Sequence, residues 1–220
     1  MSMPYSEHHR ALQDRFDTRR LADALADLIV HDEFTEADVA FISSRDMFWL
    51  ATVDQLGQPT VSYKGGAPGF VRILDSRTLA FPCYDGNGMY YSMGNVAAHA
   101  EVGMLFMDFE KPFRLRVQGQ ASYDDDEALV RSFPGAQFVI QVRATSIFQN
   151  CPRYVHRMTK VEPSRYVPAA GGEAPLAGWK RIDFIQPALP HYDQGRVDEA
   201  GGALTIEEWA GKVAAGDREA

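Results

Sequence analysis

Three short stretches of this chain place side chains where they could hold an anion. The first is Val61-Ser62-Tyr63-Lys64-Gly65-Gly66. A strand ending in a hydroxyl, an ammonium and two glycines offers an anion several donors and close backbone N–H groups. The plainer account is a hairpin flank in which the glycines only turn the chain. The second is Asp85-Gly86-Asn87-Gly88-Met89-Tyr90-Tyr91-Ser92-Met93-Gly94-Asn95. Its Gly-Asn-Gly start sits ahead of a helix, whose N-terminus attracts phosphate through free N–H groups and the helix dipole. Ser92 and Asn95 are three apart, so both point from one helix face. Alternatively, Asn87 caps the helix and Ser92 is a solvated surface residue. The third is Phe113-Arg114-Leu115-Arg116-Val117-Gln118-Gly119-Gln120. Strand alternation puts Arg114, Arg116, Gln118 and Gln120 on one face and Phe113, Leu115 and Val117 on the other. Two arginines side by side repel unless an anion or acidic neighbours compensate, and a planar guanidinium suits bidentate contact with phosphate.

A fourth stretch, Ser146-Ile147-Phe148-Gln149-Asn150-Cys151-Pro152-Arg153-Tyr154-Val155-His156-Arg157, ends a long strand in a Cys-Pro turn. Cys151 is a candidate thiol, although a quiet buried cysteine is the commoner role. No P-loop, nucleophile elbow or metalloprotease helix motif occurs. Gly86-Asn87-Gly88 begins like a dinucleotide fingerprint, but Tyr91 stands where the third glycine belongs. The six histidines show no ligand spacing, so no metal site is expected.

The elements that must position these residues follow from periodicity. Residues 1–16 are polar and aperiodic and read as a loose arm. Leu21, Ala24, Leu25, Leu28 and Ile29 recur at helical spacing over 17–30. Thr35 and Asp38 signal a second, capped helix whose Val39, Phe41 and Ile42 should face the core. Strands are expected at 48–53, 60–64, 70–74, 78–82, 102–109, 113–123 and 137–148, mostly as hairpins. Helices at 88–99 and 124–132 interrupt them. The pattern predicts a mainly β fold with peripheral helices, a closed antiparallel barrel rather than a βαβ sheet. After residue 161 the chain turns Pro/Gly-rich to 178, and a final helix begins near Thr205, which forms a capping box with Glu208.

The 220 residues, 45% hydrophobic and 24% charged, suit one globular domain with decorated ends. A net charge of −8 argues against a nucleic-acid partner but permits a local cationic pocket. Cys83 and Cys151 lie far apart with no CxxC pair, and no run approaches the roughly 18 apolar residues of a membrane span. The opening MSMPYSEHHR lacks the apolar core of a secretory signal, so a cytoplasmic setting is expected.

Taken in order, these segments resemble the pyridoxamine 5′-phosphate oxidase-like family. The carrying residues are Phe48-Trp49-Leu50-Ala51-Thr52-Val53, Pro59 to Gly66, Pro68-Gly69-Phe70-Val71, Leu79-Ala80-Phe81-Pro82 and Gly86-Asn87. They continue through Ser92-Met93-Gly94-Asn95, Val102-Gly103-Met104-Leu105-Phe106, Leu115-Arg116-Val117-Gln118-Gly119 and Gln149-Asn150-Cys151-Pro152-Arg153-Tyr154. The resemblance implies a six-stranded antiparallel split β-barrel over residues 35–162, with an arm and helix at 1–34 and an extension at 163–220. It implies a homodimer with flavin mononucleotide (FMN) between subunits, and a small-molecule redox substrate. Ser62, Tyr63, Lys64 and Gly65 would run along the flavin. Ser92, Asn95 and Asn87 would serve the phosphate and ribityl chain, and Arg116 would add a cation. Gln149 and the Cys151 turn would approach the ring.

The resemblance implies an oxidoreductase of open substrate, with no side chain assigned as catalytic. Alternatives are a flavin-binding or stress-related module without turnover, or the same barrel using deazaflavin or haem, with His99 or His156 as an axial ligand. One departure matters. The Ser-Arg-Lys-Gly phosphate run of the true oxidases appears here as Tyr90-Tyr91-Ser92-Met93, without its cations. Oxidation of pyridoxamine phosphate is therefore not expected.

Overall fold

The computed structural model describes residues 5–168 and 174–220. Residues 1–4 of the expected arm and 169–173 of the expected Pro/Gly-rich linker lie outside the described residues. The chain divides into two compact units, Met1–Val161 and Glu162–Ala220. Among the described residues no helix is long and apolar enough to cross a membrane.

The first unit begins with a helix, α1 (Glu7–Arg15), where the sequence reading expects a loose arm. Ser6 and His9 cap its start reciprocally. Tyr5 donates to the Ala22 carbonyl at 3.1 Å and Arg10 pairs with Asp23 at 2.7 Å, tying it to α2 (Arg19–Ile29). A polar helix held by such remote partners leaves no apolar period to read. On α2 the expected spacing is present, yet Leu21, Leu25 and Leu28 face solvent and Ala26 is the buried residue. The capping box between Thr35 and Asp38 opens α3 (Glu36–Ser43) as expected. Ile42 enters the core, Phe41 packs edge-on against Phe113, and Val39 stays half-buried.

Seven strands follow, all paired antiparallel: β1 (Met47–Val53), β2 (Pro59–Gly65), β3 (Arg72–Ile73), β4 (Thr78–Tyr84), β5 (Glu101–Asp108), β6 (Phe113–Asp124) and β7 (Ala136–Asn150). Their order in one sheet is β2-β1-β5-β6-β7-β4-β3. The fold is thus mainly β with flanking helices, as expected. Among the described residues the strands number seven, as the periodicity predicts, rather than the six that the resemblance implies, and the sheet is not closed, because β2 and β3 remain edges. The short β3 explains the opening. Phe70 and Val71, read as strand residues, turn into the core instead of extending the ladder.

Along β1 the pleat sends Phe48, Leu50 and Thr52 inward and Trp49, Ala51 and Val53 outward. The inner faces meet around Phe48, Phe81, Phe106, Leu115 and Ile147, each at most 1% exposed. A bulge at Gln118/Gly119 bends the β6–β7 pair. Helix α4 (Tyr91–Ala98) packs against β1, β2 and β6, and α5 (Glu127–Ser132) against β7.

The second unit has two 3₁₀ turns, Gly178–Arg181 and Asp183–Ala188, a short α6 (Arg196–Glu199), and α7 (Ile206–Ala214) with the expected Thr205–Glu208 capping box. A parallel bridge joins Ile182 to Leu204.

Candidate functional site

Two groups of the expected residues emerge, on different faces of the sheet. The larger feature is a groove of about 690 Å³ on the outer face of β1, β5 and β6. Register builds it: Trp49 lies opposite Leu105 and Ala51 opposite Gly103, while Leu105 and Met107 lie opposite Arg116 and Arg114. One wall is therefore aromatic and aliphatic, and the other carries two guanidiniums and Gln118. Residues 154–158 complete the rim, bringing Tyr154 and His156 to it. Met158 N–H donates to the Phe109 carbonyl at 3.1 Å and Lys160 pairs with Asp46 at 2.6 Å, which hold this segment in place. Tyr154 adopts a left-handed backbone, φ 70°, a costly conformation for a residue other than glycine.

The groove arginines lack carboxylate partners among the described residues. Asp108, the acid at the end of β5, is engaged by Arg45 at 2.9 Å. Arg116 lies 5.9 Å from the Phe148 ring centre. Arg114 Nε is buried with no acceptor, and so is the acceptor Oδ1 of Asn150, the residue paired with Arg114 across β6 and β7. A buried polar atom without a partner costs about 1–3 kcal/mol, so this end of the groove is incomplete by itself.

The second group lies between the edge strand β2 and α4. Ser92 donates to Ser62 at 3.0 Å, and Asn95 Nδ2 donates to Thr52 Oγ1 at 3.1 Å. Both α4 side chains do leave one helix face, but that face is buried against the strands rather than solvated. Lys64 is half-buried and has no ion-pair partner among the described residues. Burial holds its ammonium below the usual lysine range, with the Cys83 side chain acting in the opposite direction. Burial likewise pushes the Cys83 thiol up, with Lys64 opposing that.

The remaining expected residues divide. Tyr63 shares β2 with Ser62 and Lys64 but is exposed on the opposite face, beside Trp49. The atoms nearest the place a Gly65 Cβ would take belong to the Tyr63 ring. Asn87 is exposed and accepts from Met89 N–H at 3.0 Å, forming a turn, and α4 starts at Tyr91 rather than capped by Asn87. Gln149 lies opposite Leu115, so the pleat aims it away from the face of Arg114 and Arg116. Cys151 is exposed and its sulfur accepts from Arg153 N–H at 3.4 Å. Of the ten expected residues, Arg116 lines the groove. Trp49, Arg114 and Tyr154 line it without having been assigned to a cofactor, and His156, expected only as a haem ligand, lines it too. The available signal was β1 alternation: Trp49 and Ala51 face outward while Phe48 and Leu50 face inward.

An antiparallel sheet with flanking helices, a groove carrying two arginines on its face and a lysine at its edge places the chain among mainly β proteins with a candidate small-molecule site. Over residues 34–160, more than half its length, the chain matches the pyridoxamine 5′-phosphate oxidase family, and it belongs to that family. Comparison with curated proteins found no match. Solved structures similar to it include HupZ of Group A Streptococcus, 19% identical over 57% of this chain and 99% of that one, TM-score 0.45. An FMN-binding protein from Syntrophomonas wolfei is 13% identical over 64% and 97% of the two chains, TM-score 0.40. General Stress Protein 26 from Bacillus anthracis is 14% identical over 50% and 88%, TM-score 0.40.

Proposed function

We propose that this protein binds FMN and works as a flavin-dependent oxidoreductase, as a homodimer in the cytoplasm. The observation that carries the reading is the pair Arg114 and Arg116, without carboxylate partners among the described residues, on one wall of an apolar groove in a chain of net charge −8. A flavin is a flat, largely apolar ring bearing an anionic tail, and the groove offers both surfaces. Its volume falls within the roughly 300–1,000 Å³ of small-molecule sites. The buried Arg114 Nε and Asn150 Oδ1, without partners among the described residues, support a ligand with a polar edge.

When bound, the flavin supplies the hydride and electron chemistry, and the protein supplies orientation and electrostatics. Arg114 and Arg116 would hold the anionic group by charge-assisted hydrogen bonds. Trp49 and Leu105 would cover the ring and exclude water. Ser92 and Asn95 keep α4 against β1 and β2, and so hold Lys64 at the sheet edge as a second anion contact. Within one chain the pleat puts Lys64 and Ser62 on the face of β2 opposite Val61, which lines the groove. A second copy would let both groups, with Gln149 and the Cys151 turn, serve one ligand, and that supports the dimer.

The visible spectrum of the purified protein, before and after adding FMN, tests this directly. A flavin band that stays with the protein through gel filtration is the expected result, followed by bleaching with a reduced nicotinamide donor. A protein that passes FMN unretained overturns the flavin reading. His156 on the groove rim favours haem as the second reading. A Soret band on haem addition, lost in His156→Ala, would establish it.

A further inference from the structure

The second unit lies outside the family match and contains its own charged pocket. Lys180 and Arg181 are adjacent and 4% and 8% exposed, and the one buried carboxylate among the unit's described residues is Asp193. That carboxylate already serves two cations, Lys180 at 2.6 Å and Arg196 at 3.3 Å. Arg181 has no carboxylate among the described residues. Its Nε donates to the Gly202 carbonyl at 2.8 Å and its Nη2 to the Gly201 carbonyl at 3.1 Å. Carbonyl dipoles fix the orientation of the guanidinium, and no carboxylate among the described residues compensates its charge. A buried charge without a counter-charge is destabilising in an otherwise apolar setting.

Arg181 lines a cavity of about 390 Å³ together with Arg165 and Arg196. Arg196 is anchored by Asp193 and by the Ala174 carbonyl at 2.8 Å, and Arg165 pairs with the exposed Glu219 at 3.0 Å. Three guanidiniums thus converge on one space, and the remaining acid there, Glu199, is exposed on its wall. Converging like charges repel unless an anion sits among them, and planar guanidiniums match the oxygens of a phosphate. Glu199 can accept a hydrogen bond, so a hydroxyl beside the phosphate suits the wall.

We propose that the second unit is an anion site of its own, taking the phosphate group of a small hydroxylated ester between Arg165, Arg181 and Arg196. The site is independent of the flavin reading.

The test titrates the full chain with glycerol 3-phosphate at constant ionic strength, followed by calorimetry, for the parent protein and three variants. One saturable site is expected, weakened about tenfold or more by Arg165→Gln and by Arg181→Lys, and unchanged in Arg116→Gln. Arg165 is a surface residue, so Arg165→Gln decides the matter if Arg181→Lys does not fold. Absence of saturation, or equal affinity in Arg165→Gln, overturns the proposal. Loss in Arg116→Gln with retention in Arg165→Gln also overturns it, by assigning the phosphate to the groove of the first unit.

Discussion

The hydroxyl of Ser92 donates to the hydroxyl of Ser62 at 3.0 Å, joining the first turn of α4 to the edge strand β2 across thirty positions of sequence. Ser62 in turn reaches the Leu50 carbonyl at 3.5 Å, a contact too long to contribute much. The bond between the serines therefore sets how α4 sits beside Lys64. Ser92→Ala removes it from a buried place and should cost about 1 kcal/mol of stability. Chemical denaturation of the parent and variant would measure this, and FMN affinity should fall less than in Lys64→Met.

If Lys64 contacts the FMN phosphate as proposed, binding should depend on pH in the alkaline range. Burial disfavours its ammonium, so the folded value lies below the ordinary lysine value of about 10.4. Between those two values the unfolded chain keeps a proton that the folded chain has lost, so stability rises with pH across that window. A bound phosphate favours the ammonium and reverses the balance. FMN affinity should therefore fall as pH rises through the depressed Lys64 value, and Lys64→Met should flatten the profile. Fluorescence titration of FMN across that range checks the sign.

The groove arginines should act on affinity rather than on folding. Arg116 is exposed, and Arg114 already carries an unsatisfied Nε, so neither anchors the sheet through a hydrogen bond. Each charge-assisted hydrogen bond to a ligand is worth about 1.5–3 kcal/mol. Arg114→Gln and Arg116→Gln should each raise the FMN dissociation constant by about 10- to 100-fold, with little change in Tm. Raising salt should weaken the parent more than either variant.

Gly119 is required by the bulge that bends β6. A Cβ there would stand 2.4 Å from the Arg143 carbonyl oxygen and 2.8 Å from the Val142 side chain. The first of these is backbone and cannot rotate away. Gly119→Ala should destabilise the protein by about 3 kcal/mol. Thermal unfolding should record this as a fall of roughly 6–12 °C in Tm.

Much of this protein was written locally. The capping boxes at Thr35 and Thr205, the hairpin strands and the shared face of Arg114 and Arg116 all depend on neighbours within a few positions, and each is present in the structure. A periodic pattern or a cap needs only such short-range information. The family resemblance over the middle of the chain rested on the same ordered local signals.

Other features belonged to the tertiary structure, because they depend on which strands become neighbours. Ser92 read equally well as a solvated residue until β2 came alongside α4. Helix α1 carried no apolar period, and its capped start and remote polar partners made it visible. Trp49 reached the groove wall because β5 placed Leu105 and then Arg116 beside it. Alternation tells which residues share a face, but only the pairing of strands decides what that face meets. Arg181 shows the same limit: its position beside Lys180 was plain, and its burial without a carboxylate among the described residues was decided by how the second unit folds around Asp193.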